Sequence, residues 1–276
     1  MPAPLTRAVR SQGGGEALPV AFRTLEAAGI KPRRGQCTMF FGEPGAGKTF
    51  LALLWALRLN LNTLFFSLDT DPGTMLVRTL SYLTGESQDD VEKRVALNDS
   101  DLLKLAADTP IEYSFQSYAS LDQIDAEIRA YAEIHGSYPE LVIVDNLVNV
   151  SAETDDEWGG LREIMKAFHS LTRQYGCAVW VLHHAKENGH SEDCPPRRDI
   201  QGKVAQYPEL IISIGQRRDG RVHTGLQLGV ACVKNRRGKA DPSGKTAHWF
   251  TVDMGRMRLF ETNAEAFADS KRGDYT

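Results

Sequence analysis

The sequence has no apolar run of the roughly 18 residues that a membrane-spanning helix requires, and its first residues, MPAPLTRAVRSQGGGEALP, lack the apolar core of a signal peptide. We therefore expect a cytoplasmic protein with no membrane partner. Cysteine is scarce as well: Cys37, Cys177, Cys194 and Cys232 are far apart and form no CxxC pair. This spacing argues against a disulfide framework and a zinc site, and it predicts free thiols.

Positive charge is not in excess. The 32 Lys and Arg residues and the 36 Asp and Glu residues give a formal net charge of −4. This balance excludes a protein coated in positive charge, but a local basic strip is enough to bind nucleic acid. The 276 residues are sufficient for one large core, and we predict a single α/β domain with arms.

From Cys37 onward, short apolar runs alternate with amphipathic stretches. The apolar runs are typical of buried parallel strands and lie at 37–41, 62–68, 141–145, 178–184 and 210–214. Helices are predicted between them at 48–60, 74–84, 120–134 and 161–175. This order predicts a mainly parallel sheet with helices on both faces. Residues 225–236 and 246–261 are predicted to add antiparallel strands at the C-terminal edge, joined by the turn RRGKADPSGK.

A phosphate-binding loop is the most specific motif in the chain. The segment GEPGAGKT matches G-x-x-x-x-G-K-[ST], follows a predicted strand and opens a predicted helix. Backbone amides and the helix N-terminus would surround the phosphates of ATP, Lys48 would reach the β- and γ-phosphates, and Thr49 would ligate Mg²⁺. The alternative is a glycine-rich turn that binds nothing, which the full match disfavours. The predicted loop comprises Gly42, Glu43, Pro44, Gly45, Ala46, Gly47, Lys48 and Thr49.

Three further strand ends carry polar residues that suit phosphoryl transfer. Asp145 ends the apolar run LVIVD, where its carboxylate would hold Mg²⁺ through a water; the alternative is a helix-capping Asp. Asp69 follows the run at 62–68 and is the candidate for orienting the attacking water, with Asp71 as its rival. His184 ends the run AVWVLHH, where it would contact the γ-phosphate, unless it is a structural histidine. His183 would point to the opposite face of the sheet.

The ordered set of motifs, from about Gly29 to Phe260, resembles the RecA-like motor domain of DnaB-type replicative helicases, including the compact RepA-type plasmid helicases. FFSLDTDPGTMLVRTLSYLTG resembles the family's FSLE segment and LVIVDNLVNV its Walker-B strand. LREIMKAFHSLTRQYGCAVWVLHHAKE resembles the helix, strand and γ-phosphate sensor that follow. IQGKVAQYPELII is similar to the segment before the next strand, and VKNRRG to the Lys-x-Arg-x-Gly motif.

The resemblance implies roles for individual residues. Asp69 falls on the catalytic glutamate, His184 on the sensor, and Lys234 and Arg236 on the pair that reaches the neighbouring subunit's γ-phosphate. Asp in place of Glu is a departure that shortens the reach by about 1.5 Å. A misplacement of roughly 1 Å can cost about 100-fold in rate, so the water would lie closer here or Asp71 would assist. The alternative for VKNRRG is a charged strand end before a turn.

DNA contact is predicted in the long segment after the sensor strand, at 185–203, whose basic residues are Lys186, Arg197, Arg198 and Lys203. Four carboxylates in the same segment leave open the alternative of a solvated surface loop. We accordingly expect a flexible N-terminal arm at 1–28, a RecA-like ATPase and helicase motor domain at 29–262 without a primase-binding domain before it, and a polar C-terminal tail at 263–276.

The resemblance implies a homo-oligomer, as a hexameric ring, that translocates on single-stranded DNA in a bacterial or phage-infected cell and has a loader or primase as a further partner. Two alternatives stay open: a RecA-like recombination mediator or annealing ATPase, and a regulatory ATPase without DNA binding.

Overall fold

The computed structural model describes residues 15–152, 157–187, 192–220 and 224–273. Its strands in chain order are β1 (Cys37–Gly42), β2 (Thr63–Ser67), β3 (Ile111–Phe115), β4 (Ala119–Ser120), β5 (Leu141–Asp145), β6 (Val150–Ser151), β7 (Ala178–His184), β8 (Leu210–Arg218), β9 (Leu226–Asn235), β10 (Ala247–Asp253) and β11 (Arg258–Phe260). Its α-helices are α1 (Arg23–Ala27), α2 (Lys48–Leu59), α3 (Pro72–Thr84), α4 (Gln88–Ala96), α5 (Ser100–Ala107), α6 (Leu121–His135), α7 (Glu157–Tyr175) and α8 (Asn263–Gly273).

Nine of these strands form one sheet in the order β11-β10-β9-β8-β1-β7-β5-β2-β3, and β4 pairs with β6 separately. The strands from β8 to β3 in this order are parallel to one another. The other three are antiparallel and extend the sheet beyond β8. The predicted α/β architecture, with antiparallel strands at the C-terminal edge, is confirmed.

The core lies on both faces of the sheet, which explains why the central strands are continuous apolar runs. Phe40 and Trp180 belong to the cluster packed under α2, and their ring centroids are 5.1 Å apart. Phe41, the next residue of β1, belongs to the opposite cluster, where α7 contributes Phe168. Successive side chains of a strand alternate between faces, so both layers of helices are anchored to the same strands.

Three parts of the chain differ from the prediction. The helices α4 and α5 and the strand β3 fill a region for which no element was predicted; Leu80, Val91 and Leu102 form their small apolar core with α3. The predicted strand at 246–261 is split into β10 and β11, which pair as an antiparallel hairpin. Its turn contains Gly255 and places Met257 at a φ of 52°.

The predicted N-terminal arm is wrong for residues 15–28. Phe22 and Leu25 are buried, and the Phe22 ring meets that of Trp55 edge to face at 5.2 Å between centroids. These apolar contacts hold α1 against the core, while residues 1–14 lie outside the described part of the chain. The predicted polar tail is helical through α8, in which Ala266 is buried; residues 274–276 are outside the description.

The four cysteines are free and buried. In the described ranges, no group of three or more His, Cys, Asp or Glu residues is arranged to hold a metal ion. No helix of those same ranges combines the length and the apolar character needed to cross a membrane.

Candidate nucleotide site and basic cleft

The predicted phosphate loop joins β1 to α2 at the carboxyl edge of the parallel strands, where α/β proteins bind ligands. Gly47 caps α2 with a φ of 88°, a left-handed conformation that favours glycine. A Cβ atom at Gly47 would also lie 3.0 Å from Leu228 Cδ1 and 3.1 Å from Met254 Cε. At Gly42, a Cβ would be 2.6 Å from the Ile214 carbonyl oxygen. Glycine is therefore required at both ends of the loop for steric reasons.

Lys48 and Thr49 begin α2 and face the end of β5. The Thr49 hydroxyl donates to Asp145 Oδ2 at 2.6 Å. Lys48 Nζ donates to the carbonyl oxygens of Gly42 and Glu43 at 3.2 and 3.1 Å. The structure thus brings together the residues predicted to hold the phosphates and Mg²⁺.

Burial shifts the pKa values of this group. It raises the pKa of the Asp145 carboxyl to about 6, against the lowering effect of the Thr49 hydroxyl and of the Lys48 charge. Burial also lowers the pKa of Lys48, and the charges of Asp145 and Asp69 oppose that change. The pair is therefore costly to keep in the ionised form without a bound ligand, which is typical of functional sites.

Asp69, at the end of β2, and His184, at the end of β7, meet at Asn146. Asn146 Nδ2 donates to Asp69 Oδ2 at 3.4 Å and lies 3.2 Å from His184 Nε2. His184 Nδ1 is 3.4 Å from Lys48 Nζ, which links the predicted sensor to the phosphate loop. Burial, then the Lys48 charge, lowers the pKa of His184, so a neutral imidazole is favoured.

The two rival residues have structural environments. Asp71 is the N-cap of α3: it accepts from the Thr74 amide at 3.0 Å and from the Thr74 hydroxyl at 2.6 Å. Asp71 does not line the nucleotide cleft, whereas Asp69 does. His183 is fully buried, with Nε2 3.1 Å from the Gln201 carbonyl oxygen. It therefore faces away from the loop, as the alternation along β7 predicts.

These groups line a cleft of about 320 Å³. The cleft also contains residues for which the sequence analysis predicted no role: Arg78, Gln88, Asn146, Met254 and Met257. Asn146 could have been noticed because it directly follows Asp145 at a strand end. The others come from α3, α4 and the β10–β11 turn, and no local pattern marks them as neighbours of the phosphate loop.

A second cleft, of about 1640 Å³, lies on the segment after β7 and is called the basic cleft here. Seven of its lining residues are cations and one, Asp193, is a carboxylate. The cations are Arg162, Lys186, Arg197, Arg198, Lys203, Lys234 and Lys245. All four predicted DNA contacts are thus in one cleft. Asp199, one of the carboxylates that the sequence set against them, is buried and does not line it.

A family profile described as "AAA domain" matches residues 30–190, which is more than half of the chain. The chain belongs to the AAA domain family.

Two phage proteins are similar to this AAA domain along most of their length. The Gene 65 protein of Mycobacterium phage L5 is 35% identical over 239 residues, which cover 84% of the chain and 88% of that relative. The Gene 65 protein of Mycobacterium phage D29 is 34% identical over 214 residues, with 73% and 88% covered.

Solved structures share the fold. One, described as an ATPase domain, aligns with a TM-score of 0.75 at 14% identity and covers 92% of this chain and 94% of its own. "The Structure Of A DnaB-Like Replicative Helicase And Its Interactions With Primase" aligns with a TM-score of 0.74 at 14% identity and covers 93% and 66%. The predicted resemblance to DnaB-type motor domains is confirmed in the fold. Family and fold together identify an ATPase domain, and such a domain binds nucleotide.

Lys234 and Arg236 lie far from the phosphate loop of their own AAA domain. The Arg236 amide donates to the Glu209 carbonyl oxygen, and the Glu209 amide donates to that of Cys37, at the amino end of β1. The phosphate loop starts at the other end of β1, five residues further and about 17 Å away along a strand. Neither side chain can therefore reach the phosphates bound in cis.

The two side chains have different environments. Lys234 Nζ donates to the Ala205 and Gln206 carbonyl oxygens at 2.8 Å each, and burial lowers its pKa to about 8. Arg236 is about half exposed and contacts the Gln206 carbonyl oxygen at 3.2 Å and Glu209 Oε1 at 3.4 Å. The structure thus places Lys234 at the basic cleft and leaves Arg236 more accessible.

Proposed function

We propose that this AAA domain hydrolyses ATP to drive a homo-oligomeric, hexameric ring along single-stranded DNA, as a replicative helicase in the cytoplasm of a phage-infected bacterial cell. The observation that carries the proposal is the short connection between the two clefts. β7 ends at His184 in the nucleotide cleft, and Lys186 in the basic cleft is two residues later. A change at the terminal phosphate therefore has a direct covalent route to the DNA contacts. The phage origin of the two relatives supports the cellular setting.

Thr49 and Asp145 fit a magnesium ion because both offer oxygen donors and lie 2.6 Å apart. Mg²⁺ at nucleotide sites takes one or two protein oxygens and fills its other positions with phosphate oxygens and water. Thr49 would be the direct ligand, and Asp145 would hold the ion through a water. The metal, when bound, neutralises charge that develops on the phosphates. Lys48 binds the β- and γ-phosphates from the loop side.

Asp69 orients the attacking water, because it is the carboxylate at the end of β2 that lines the nucleotide cleft. Asn146 holds Asp69 and His184 in one network, so the presence of the γ-phosphate at His184 is coupled to the position of Asp69. Loss of the γ-phosphate changes the contacts of His184, and with them the start of the segment that carries Lys186.

The basic cleft binds the phosphate backbone of single-stranded DNA without regard to sequence, since its lining is cationic and carries no aromatic residue for base stacking. Arg236 acts in trans: it completes the neighbouring subunit's site, where an arginine at the transferring phosphoryl group is worth roughly 10³–10⁵ in rate. Such a ring would take a loader or primase as a further partner.

A recombination mediator or annealing ATPase is the second candidate, and a regulatory ATPase without DNA binding is the third. The basic cleft argues against the third candidate, because seven cations against one carboxylate have no role in a protein that does not bind polyanions. The mediator shares every feature of the two clefts, so only activity separates it from the helicase.

Unwinding of a forked DNA duplex by the full chain, with ATP and Mg²⁺, tests the proposal. Strand separation that is absent in the Lys48→Ala variant supports the helicase. Annealing of complementary strands without strand separation supports the mediator and contradicts the helicase.

Salt dependence tests the DNA contacts separately. A triple variant of Arg197, Arg198 and Lys203 to Ala should reduce the slope of log affinity against log salt by about 2, at about 0.7 for each phosphate contact. A matched control replaces three exposed cations outside the cleft, Lys93, Lys104 and Arg129, and should leave the slope unchanged.

A further inference from the structure

The nucleotide cleft contains a second cation besides Lys48. Arg78 lies on α3, two helical turns after the Asp71 cap, and it lines the same cleft as Lys48, Asp69 and Asp145. The phosphate-loop motif gives no reason to expect it, because the motif ends at Thr49. Its position therefore comes from the fold and not from a local pattern.

Arg78 is half-buried, yet it lacks the partners that such an arginine normally has. Across the described residues, it donates no hydrogen bond and no carboxylate lies within ion-pairing distance of it. Arg58, by contrast, donates to the Leu259 carbonyl oxygen at 2.7 Å. A guanidinium carries five N–H donors, and leaving them unpaired in a partly desolvated cleft is unfavourable. A ligand of the cleft would supply the missing acceptors.

The charge of Arg78 is felt at the catalytic end of the cleft. It lowers the pKa of Asp145, although burial has the larger effect and raises that pKa to about 6. Asp145 and Ser67 are register partners on β5 and β2, so Asp145 and the segment that leads through Asp69 into α3 are adjacent. Arg78 thus belongs to the β2 side of the cleft, where Asp69 lies.

The phosphate loop forms the other side of the cleft, because β7 and β5 separate β1 from β2 in the sheet. The inner phosphates lie against the loop, whereas the terminal phosphate extends toward Asp69 and His184. A cation on the β2 side therefore meets the terminal phosphate. We propose that Arg78 binds the γ-phosphate of ATP in cis, across the cleft from Lys48. This inference rests on the proposed ATPase function and adds a catalytic residue to it.

Two properties of the Arg78 guanidinium make this role chemically specific. Its fork of donors matches two phosphate oxygens at once, which a lysine ammonium cannot do. Its charge lies where the oxygens of the transferring phosphoryl group are, so it stabilises the transition state as well as the bound ATP. ADP has no γ-phosphate, and Arg78 should therefore discriminate between the two nucleotides.

Nucleotide binding to Arg78→Ala and Arg78→Lys tests the proposal. Equilibrium affinities are measured with Mg²⁺ for ADP and for an ATP analogue that has a nonhydrolysable β,γ-imido bridge. We expect Arg78→Ala to weaken the analogue roughly ten- to a hundredfold, as for loss of a charge-assisted hydrogen bond, and to leave ADP within about twofold. Turnover should fall by about 10³-fold, and Arg78→Lys should restore part of both losses.

The control variant is Arg258→Met. The Arg258 guanidinium lies 5.8 Å from the centroid of the Tyr82 ring, so this change disturbs packing against the same helix without touching the cleft. Equal loss of ADP and analogue affinity in Arg78→Ala would overturn the proposal, because the contact would then be to the inner phosphates, the sugar or the helix itself. Unchanged affinity for both nucleotides would overturn it as well.

Lys48→Ala, measured in parallel, separates this inference from the proposed function. If Lys48→Ala loses nucleotide affinity and Arg78→Ala does not, the cleft binds nucleotide and only the role of Arg78 is wrong. If Lys48→Ala retains both affinity and turnover, the ATPase assignment itself is wrong.

Discussion

Asn146 gives the sharpest test of how the catalytic network is held together. Its buried side chain contacts Asp69 and His184 through Nδ2 and accepts from the Val148 amide at 3.1 Å through Oδ1. Asn146→Ala removes all three contacts. Each hydrogen bond contributes about 1 kcal/mol net, and the two longer ones contribute less, so we expect a loss of about 2 kcal/mol in the free energy of unfolding.

Catalysis should suffer more than stability. Asp69 loses the donor that fixes its carboxylate, and a displacement of roughly 1 Å costs about 100-fold in rate. We expect turnover at saturating Mg-ATP to fall by about 100-fold while nucleotide affinity, which depends on Lys48 and the loop amides, changes by less than about threefold. Steady-state hydrolysis and equilibrium titration with a fluorescent nucleotide measure the two quantities separately.

Asn149 provides the matched control for Asn146. Its Nδ2 donates to the Ser117 carbonyl oxygen at 3.0 Å and to that of Leu68 at 3.3 Å, so it ties together the same loops without touching Asp69 or His184. Asn149→Ala should lower stability and keep turnover near the wild-type value. The reasoning is refuted if Asn146→Ala hydrolyses ATP at a rate close to wild type, or if turnover and affinity fall by the same factor.

Three further predictions concern separate parts of the molecule. Asp69→Asn should abolish turnover and retain nucleotide affinity, whereas Asp71→Ala should lower only the melting temperature, since Asp71 caps α3; the opposite pattern in hydrolysis assays would exchange their roles. Burial lowers the pKa of His183 from 6.5 to about 4, so the folded state binds its proton less readily than the unfolded state. Stability present above pH 6.5 is then lost as the pH falls toward 4. We expect a loss of about 2 kcal/mol from pH 8 to pH 5 in urea unfolding, and an equal loss in His183→Gln would contradict this cause. Mixing Arg236→Ala with Lys48→Ala subunits should restore some ATPase activity that neither has alone; no recovery despite subunit exchange would rule out action in trans.

The phosphate loop and the central strands could be predicted because their signals are local. Gly42 and Gly47 are required by steric contacts that every such loop shares, and a strand buried on both faces is a continuous apolar run wherever it occurs. The motif and the following Lys48 and Thr49 thus define one wall of the cleft from eight consecutive residues.

Contacts that depend on sheet register could not be predicted in this way. Asn146 meets Asp69 and His184 because β5 lies between β2 and β7, and this order is a property of the whole sheet. Arg78 enters the cleft for the same reason. Phe22 was assigned to an arm because Gly, Pro and Ala dominate its surroundings, although one aromatic ring against Trp55 is enough to hold the segment. The helices α4 and α5 are short and polar, so their periodicity is weak.

The most direct test of the central claim is the rate of ATP hydrolysis with and without a single-stranded DNA oligonucleotide. The route from His184 to Lys186 predicts that DNA bound in the basic cleft stimulates hydrolysis by the wild-type chain. The triple variant of Arg197, Arg198 and Lys203 should hydrolyse ATP at the unstimulated rate whether or not DNA is present. Hydrolysis by the wild-type chain that does not respond to single-stranded DNA, at concentrations that saturate binding, would contradict the coupling of the two clefts.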